Sequence, residues 1–344
     1  MNNLWMRWLD FRALRDLLLL IGEYPQGLGA GELEKLATDE GVLLRRDGQP
    51  YARSIHYHHR RTLERLGLVE KQGARFALSL RSPETRTLSA QTKMGEHLEP
   101  AEKEAFANSV LRNRDCHDVF FANLLPGREP VSDVATFVER GHAVEVVVRS
   151  RVAQEVRAGG GRHRQGGRNR SKRVVIRAAT TGDCTAFDGA EAVQAIHFGL
   201  RSWCVDQLGF LDVAYRPDGT YAMYPKHIAA PLTDEDLAVR MFADLEFAED
   251  WATVRIPDFA LAAGIEQRVS IERAKDVLRQ WLTAHPDLVA GVPTRVGFIT
   301  AGLPERQHEL ALKRYLRSSS GAYLSHVRIH RDLRQHVQNG VIQP

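Results

Sequence analysis

The stretch SIHYHHRRTLERLGLVEKQGARFALSL, residues 54–80, leaves little freedom in how it folds. At about 100° per residue, Ile55, His59, Thr62, Leu63 and Leu66 share one side of a helix. Tyr57, Arg60, Arg61 and Glu64 share the other, so the helix is amphipathic. Gly67 suits its C-terminus because it takes positive φ without strain. Residues 68–71 and 75–80 then form two short apolar runs about Gln72-Gly73, the pattern of two strands and a tight turn. Three histidines sit in this helix, but metal binding needs ligands that converge on one point. His56 and His58 flank His59 roughly 160° apart on the helical wheel, so no metal site is expected. His59 falls on the apolar side and is expected to be a hydrogen-bonded core histidine.

The upstream residues complete a pattern. Residues 4–21 carry apolar side chains at helical spacing, residues 31–38 form a second short helix, and a polar loop, 43–53, leads into the histidine helix. The order resembles the winged helix-turn-helix superfamily over about the first 80 residues, on pattern and without a diagnostic motif. The resemblance implies that the helix of residues 54–66 enters a DNA major groove. Its DNA-binding residues would be Arg53, Ser54, Tyr57, His58, Arg60, Arg61 and Arg65, with Lys71 and Arg75 from the hairpin.

Similar units recur. In GLRSWCVDQLGFLDVAYRPDGTYAMYP, residues 199–225, a helix stops at Leu208-Gly209 and two apolar runs flank Pro217-Asp218-Gly219. A fainter copy is IPDFALAAGIEQRVSIERAKDVLRQWL, residues 256–282, with a short helix, a turn at Gly264, a longer helix capped near Ser270, and VGFIT in residues 293–300 as its wing. A fourth is PVSDVATFVERGHAVEVVVRSRV, where Ser132 caps a short helix that stops at Gly141 before a β-branched strand. The expected fold class is α+β and helix-rich, with tandem winged-helix modules joined by helical segments and one long basic loop. The expected division is a winged-helix DNA-binding domain (1–82), a helical linker with a second module (83–182), two further modules (183–230 and 231–303) and a basic helical C-terminal segment (304–344). In that last segment His326, His330 and His336 alternate with Arg328, Arg331 and Arg334, a solvated basic helix or a DNA-backbone contact.

Composition limits the function classes. With 344 residues, 43% hydrophobic and 26% charged, the chain is long enough for two or three globular cores. No apolar run approaches the roughly 20 residues of a membrane helix, and Arg7, Asp10, Arg12 and Asp16 spoil a signal peptide. Three scattered cysteines give neither a disulfide framework nor a zinc knuckle, which fits a reducing cytoplasm.

The net charge is only +4, yet RAGGGRHRQGGRNRSKR, residues 157–173, holds six arginines, one lysine and no acid, which leaves about −3 for the rest. Five glycines and no large apolar side chain make this a flexible loop, held between strands at 143–152 and 173–178 that pair as a hairpin. Arg157, Arg162, Arg164, Arg168, Arg170, Lys172 and Arg173 suit a phosphate backbone or a minor groove. RNA or an acidic protein surface would satisfy the same charge.

Catalytic signals are weak. The glycine runs lack the ending of a phosphate-binding loop, and no HExxH, GxSxG or kinase-like set is present. The nearest approach to a restriction-type nuclease is Asp133 with Glu145, and valine holds the lysine position. Asp183, Cys184, Asp188 and Glu191 are polar groups around a loop. The expectation is a non-enzymatic protein without cofactor or metal, whose partner is double-stranded DNA, with protein partners or a homodimer possible and no membrane. It would serve as a transcriptional repressor, a replication initiator of plasmid type, which it resembles in carrying more than one winged helix, or a DNA-recognition subunit of a bacterial defence system. A nuclease targeted by such modules, and a scaffold whose modules bind proteins, are the alternatives.

Overall fold

The structure is a computed structural model that describes residues 5–45, 47–90, 97–150, 172–216, 220–229, 231–293, 314–318 and 321–338. It is α+β, with antiparallel sheets throughout the described residues. The chain divides into two compact units. One comprises Met1–Gly141, Val148–Arg177 and Gly182–Leu211, and the other His142–Val147, Ala178–Thr181 and Asp212–Pro344.

The first unit opens with α1 (Phe11–Gly22), which starts later than its apolar spacing suggests because the Asp10 carboxylate accepts the Arg12 N–H and caps it. Its buried stripe is Leu14, Leu17, Leu18 and Ile21. Next come β1 (Leu28–Gly29), α2 (Ala30–Asp39), α3 (Arg53–Arg65), β2 (Val69–Gln72) and β3 (Arg75–Leu78). β1 pairs with β3 and β3 with β2, so the last strand is central. The chain can enter β1 only through a glycine: Gly27 has φ of 74°, and a Cβ there would press on the Phe76 carbonyl.

After α4 (Pro83–Ser89) and α5 (Pro100–Arg112), a short α6 (Arg114–Cys116) runs into a π-helical turn, His117–Phe121. α7 (Val134–Arg140) ends before Gly141 as expected, but its cap is Asp133 and not Ser132: the Asp133 carboxylate accepts the Thr136 N–H at 2.8 Å. β4 (Val144–Ser150) neighbours β5 (Lys172–Ala178), in line with the hairpin read from the sequence, and β5 pairs with β6 (Cys184–Asp188). α8 (Ala190–Ile196) continues into a π-helical segment, His197–Gln207. Phe11, Phe106, Phe120, Phe121, Phe137, Trp203 and Phe210 are fully buried in this unit. Their rings meet edge to face, as in Phe11 with Phe106 at 5.1 Å and Phe121 with Phe137 at 5.4 Å.

In the second unit β4 pairs with β8 (Tyr221–Pro225), which pairs with β7 (Leu211–Tyr215). Then follow α9 (Asp234–Ala243), β9 (Trp251–Arg255), α10 (Ile256–Gln267), α11 (Ile271–Ala284), β10 (Val289–Pro293), β11 (Leu316–Arg317), β12 (Tyr323–His330) and α12 (Arg331–Gln338). β12 is central, with β10 on one side and β9 and β11 on the other. Helix, strand, two helices and a strand pair whose last member is central thus recur, with β9–β12–β10 matching β1–β3–β2.

Two expectations fail in this unit, and a third, VGFIT as a wing, falls on residues that are not described. Gly264 is no turn but the interior of α10, a glycine because a Cβ there would collide with the Tyr224 hydroxyl. The partner of β10 is β12, some thirty residues on, and VGFIT lies outside the described residues. Residues 323–330 are a strand instead of part of a basic helix. Ser325, Val327 and Ile329 are buried while Arg328 is exposed, the two-residue period of a half-covered sheet. Among the described residues after 321, α12 is the helical part. Among the described residues no helix is long and apolar enough to cross a membrane.

Candidate nucleic-acid interface

α3 is set against α1 by one histidine. The Asp10 backbone N–H donates to His59 Nε2 at 3.0 Å, and His59 Nδ1 donates to the Ile55 carbonyl at 2.9 Å. That arrangement requires the neutral ring with its proton on Nδ1. Burial lowers the His59 pKa to about 4, so the ring is neutral throughout the neutral range. Trp8 lies edge-on to His59 at 5.8 Å and packs on Tyr51 at 5.5 Å, which holds the loop before α3. His59 is therefore the core histidine expected. His56 is also buried, and Ile55 only half-buried, so the covered stripe sits further round the helix than the wheel suggested. Burial lowers the His56 and His58 pKa values as well.

The other side of α3 faces solvent. Arg53 and Ser54 are exposed, Tyr57 is 50% exposed, and Arg61 is exposed beside half-buried His58 and Arg65. The only acid in the helix is Glu64, paired with Arg61 at 2.7 Å. Aromatic rings hold two cations in place: Arg60 lies 4.9 Å from the Phe76 ring centroid, and Arg65 lies 4.9 Å from that of Trp5. Arg60 is thus half-buried, and its contribution to packing was not visible in the helical wheel. On the hairpin Lys71 is exposed opposite Phe76. Arg75 donates to the Gly27 carbonyl at 2.8 Å and lies 3.5 Å from Glu32, while Arg53 lies 3.4 Å from Glu34. These α2 acids are partners the sequence reading did not assign.

Arg157, Arg162, Arg164, Arg168 and Arg170 lie outside the described residues. Lys172 opens β5, and Arg173 is exposed, 3.8 Å from Asp188.

The other modules differ in charge. α11 stands where α3 stands in its order of elements, yet its cations are matched by acids: Lys275 with Glu272 at 2.7 Å, Arg273 with Asp234 at 2.9 Å, and Arg279 with Asp276. The helical segment before β7 is occupied within the first unit. Trp203 Nε1 donates to the Arg7 carbonyl at 3.1 Å, and the Gln207 amide bonds both Phe11 N–H and the Leu9 carbonyl at 2.9 Å.

The groups weighed for catalysis have structural duties. Hydrogen bonds from Thr136, the backbone N–H first, hold the Asp133 pKa down at its helix cap, and Glu145 pairs with Arg216 at 2.7 Å. Burial pushes the Cys116 and Cys204 thiols up, away from thiolate chemistry. Among the described residues no group of three or more histidine, cysteine, aspartate or glutamate side chains is arranged to hold a metal ion. No protein-family model, no curated protein and no solved structure matches the chain.

Proposed function

We propose that this chain binds double-stranded DNA through winged-helix modules, with α3 as the element that enters the major groove. The carrying observation is the charge on α3: Arg53, Arg60, Arg61 and Arg65 share the helix with one acid, Glu64, next to a hairpin bearing Lys71 and Arg75, and the nearby α2 acids Glu34 and Glu32 meet Arg53 and Arg75. A long groove-filling helix lined with arginine is what phosphate and base-edge contact requires. The order of elements supports the module assignment, since β1–β3–β2 with two helices between β1 and β2 is the winged-helix arrangement. Tyr57 and Arg61, one turn apart on the open face, are the side chains best placed for base edges. Arg60 and Arg65, braced by rings, suit the backbone. The reading accommodates a repressor, an initiator or a recognition subunit alike, because all three need the same contact.

The test is an electrophoretic mobility shift with random duplex and with the fragment upstream of the chain's own gene, at two salt concentrations. The variant is Arg53→Ala with Arg61→Ala; Arg60 is avoided because its loss would also loosen the Phe76 packing. Loss of the phosphate contact from Arg53 should flatten the slope of log affinity against log salt by about 1, and loss of Arg61 should weaken binding further. Unchanged affinity and slope, in a variant with the wild-type melting temperature, would remove α3 as the binding helix.

A further inference from the structure

The outer face of the C-terminal sheet gathers aromatic and basic side chains in cross-strand rows. His330 pairs with Trp251, Arg328 with Thr253 and His326 with Arg255 across β12 and β9, and Ala290 of β10 lies on the other side of Arg328. Val327, Ile329 and Ala252, the alternate residues, are buried in the core, so these rows stand on the opposite face. Two arginines and two histidines line it, and none of the strand residues forming the rows is acidic. Arg328 is exposed and lies 4.9 Å from the Trp251 ring centroid, and the His330 ring meets the same indole at 4.9 Å and 78°. The Asp332 N–H donates to His330 Nδ1 at 3.2 Å, so neutral His330 carries its proton on Nε2 as a donor. The neighbouring acids are peripheral. Asp258 lies 3.3 Å from Arg255 and Asp332 lies 3.3 Å from His330, which leaves the Arg328–Trp251 pair as the centre of the face.

We propose that this face binds single-stranded nucleic acid. Its chemistry is a guanidinium held over an indole, flanked by donors and cations along one strand. Unpaired bases stack on such a surface and their phosphates meet the cations. A duplex keeps its base faces inside the stack. Charge complementarity selects a polyanion, and the Trp251–Arg328 platform selects one with exposed rings. The proposal stands apart from duplex binding by α3.

The test uses the full chain and a fluorescein-labelled oligothymidylate of about 15 nucleotides, read by fluorescence anisotropy. Arg328→Ala removes the platform, and Thr253→Glu puts an anion at the centre of the face. Both positions are exposed, so the core is untouched. Each variant should weaken oligothymidylate binding by about fivefold or more while duplex affinity stays at the wild-type value. Arg53→Ala with Arg61→Ala should leave the oligothymidylate affinity in place. Wild-type protein that does not bind the oligothymidylate, or variants that bind it as wild type does, would overturn the proposal. Equal loss of single strand and duplex from Arg328→Ala would overturn it too, by assigning this face to nucleic acid of either form.

Discussion

Acid should loosen α3 through His59, and the size of the effect follows from its burial. The ring is fully buried and its pKa is lowered to about 4 from an ordinary value of 6.5, with burial as the leading cause. The folded state therefore refuses a proton that the unfolded chain accepts between these values. Stability from this group is complete above about pH 6.5, falls as the pH drops, and is gone near pH 4. At about 1.4 kcal/mol per pKa unit the loss is about 3 kcal/mol. Protonation also converts Nε2 from acceptor to donor, facing the Asp10 N–H that now donates to it. Other carboxylates and histidines titrate in the same range, so the measurement is a difference. His59→Gln supplies an amide oxygen for Asp10 and an amide N–H for Ile55 without a titration. Urea unfolding of both proteins, with hydrogen exchange of α3 amides as the local probe, should show wild type losing about 3 kcal/mol relative to the variant between pH 7 and pH 4. In proton NMR the imidazole signal missing from the variant should titrate near 4. A His59 signal titrating near 6.5, or parallel pH profiles for the two proteins, would refute the reasoning.

Two further perturbations test the cores. Arg15 and Glu102 form a buried ion pair at 3.2 Å, so Glu102→Gln should cost about 3 kcal/mol in urea unfolding; wild-type stability would mean that Asp16, 2.7 Å from Arg15, suffices alone. Gly264→Ala should destabilise the second unit by about 1 to 3 kcal/mol despite its better helix propensity, because the new Cβ displaces Tyr224, whose hydroxyl lies 2.9 Å from the Val269 carbonyl and 3.1 Å from Asp212. The same substitution in a Tyr224→Phe background should cost less, and equal melting-temperature losses in both backgrounds would contradict the collision.

Elements with their own local signal were legible in the sequence. α3 announces itself by the apolar spacing from His59 to Leu66, and the following hairpin by Gly67 and Gly73, both at positive φ. Ser270 is found at the cap of α11, accepting the Arg273 N–H at 3.2 Å. What was not legible depends on residues far apart in the chain. β1 is two residues long and exists as a strand only because β3 pairs with it. The bond from Asp10 to His59 spans 49 positions, and no periodicity encodes it. Gly264 looks like a turn until Tyr224 is beside it. β12 was missed for the same reason: its alternation is short and interrupted by cations, and its partners β9 and β10 lie far upstream.

The comparison of α3 with α11 shows why the order of elements cannot by itself assign a function. The two helices hold the same place between a first strand and a strand pair with a central last member. A phosphate approaching α11 would first have to displace Glu272, Asp276 or Asp234 from the cations they already hold. An exposed pair is weak enough to break, but the displaced carboxylate stays near the incoming phosphate and repels it. On α3 rings brace two of the cations, and a ring carries no charge to repel an anion. Arg60 and Arg65 are therefore held in place without being neutralised, which lowers the side-chain entropy cost of ordering them on a phosphate. What separates α3 from α11 is what holds the cations, and that is a property of Phe76 and Trp5 as much as of the arginines.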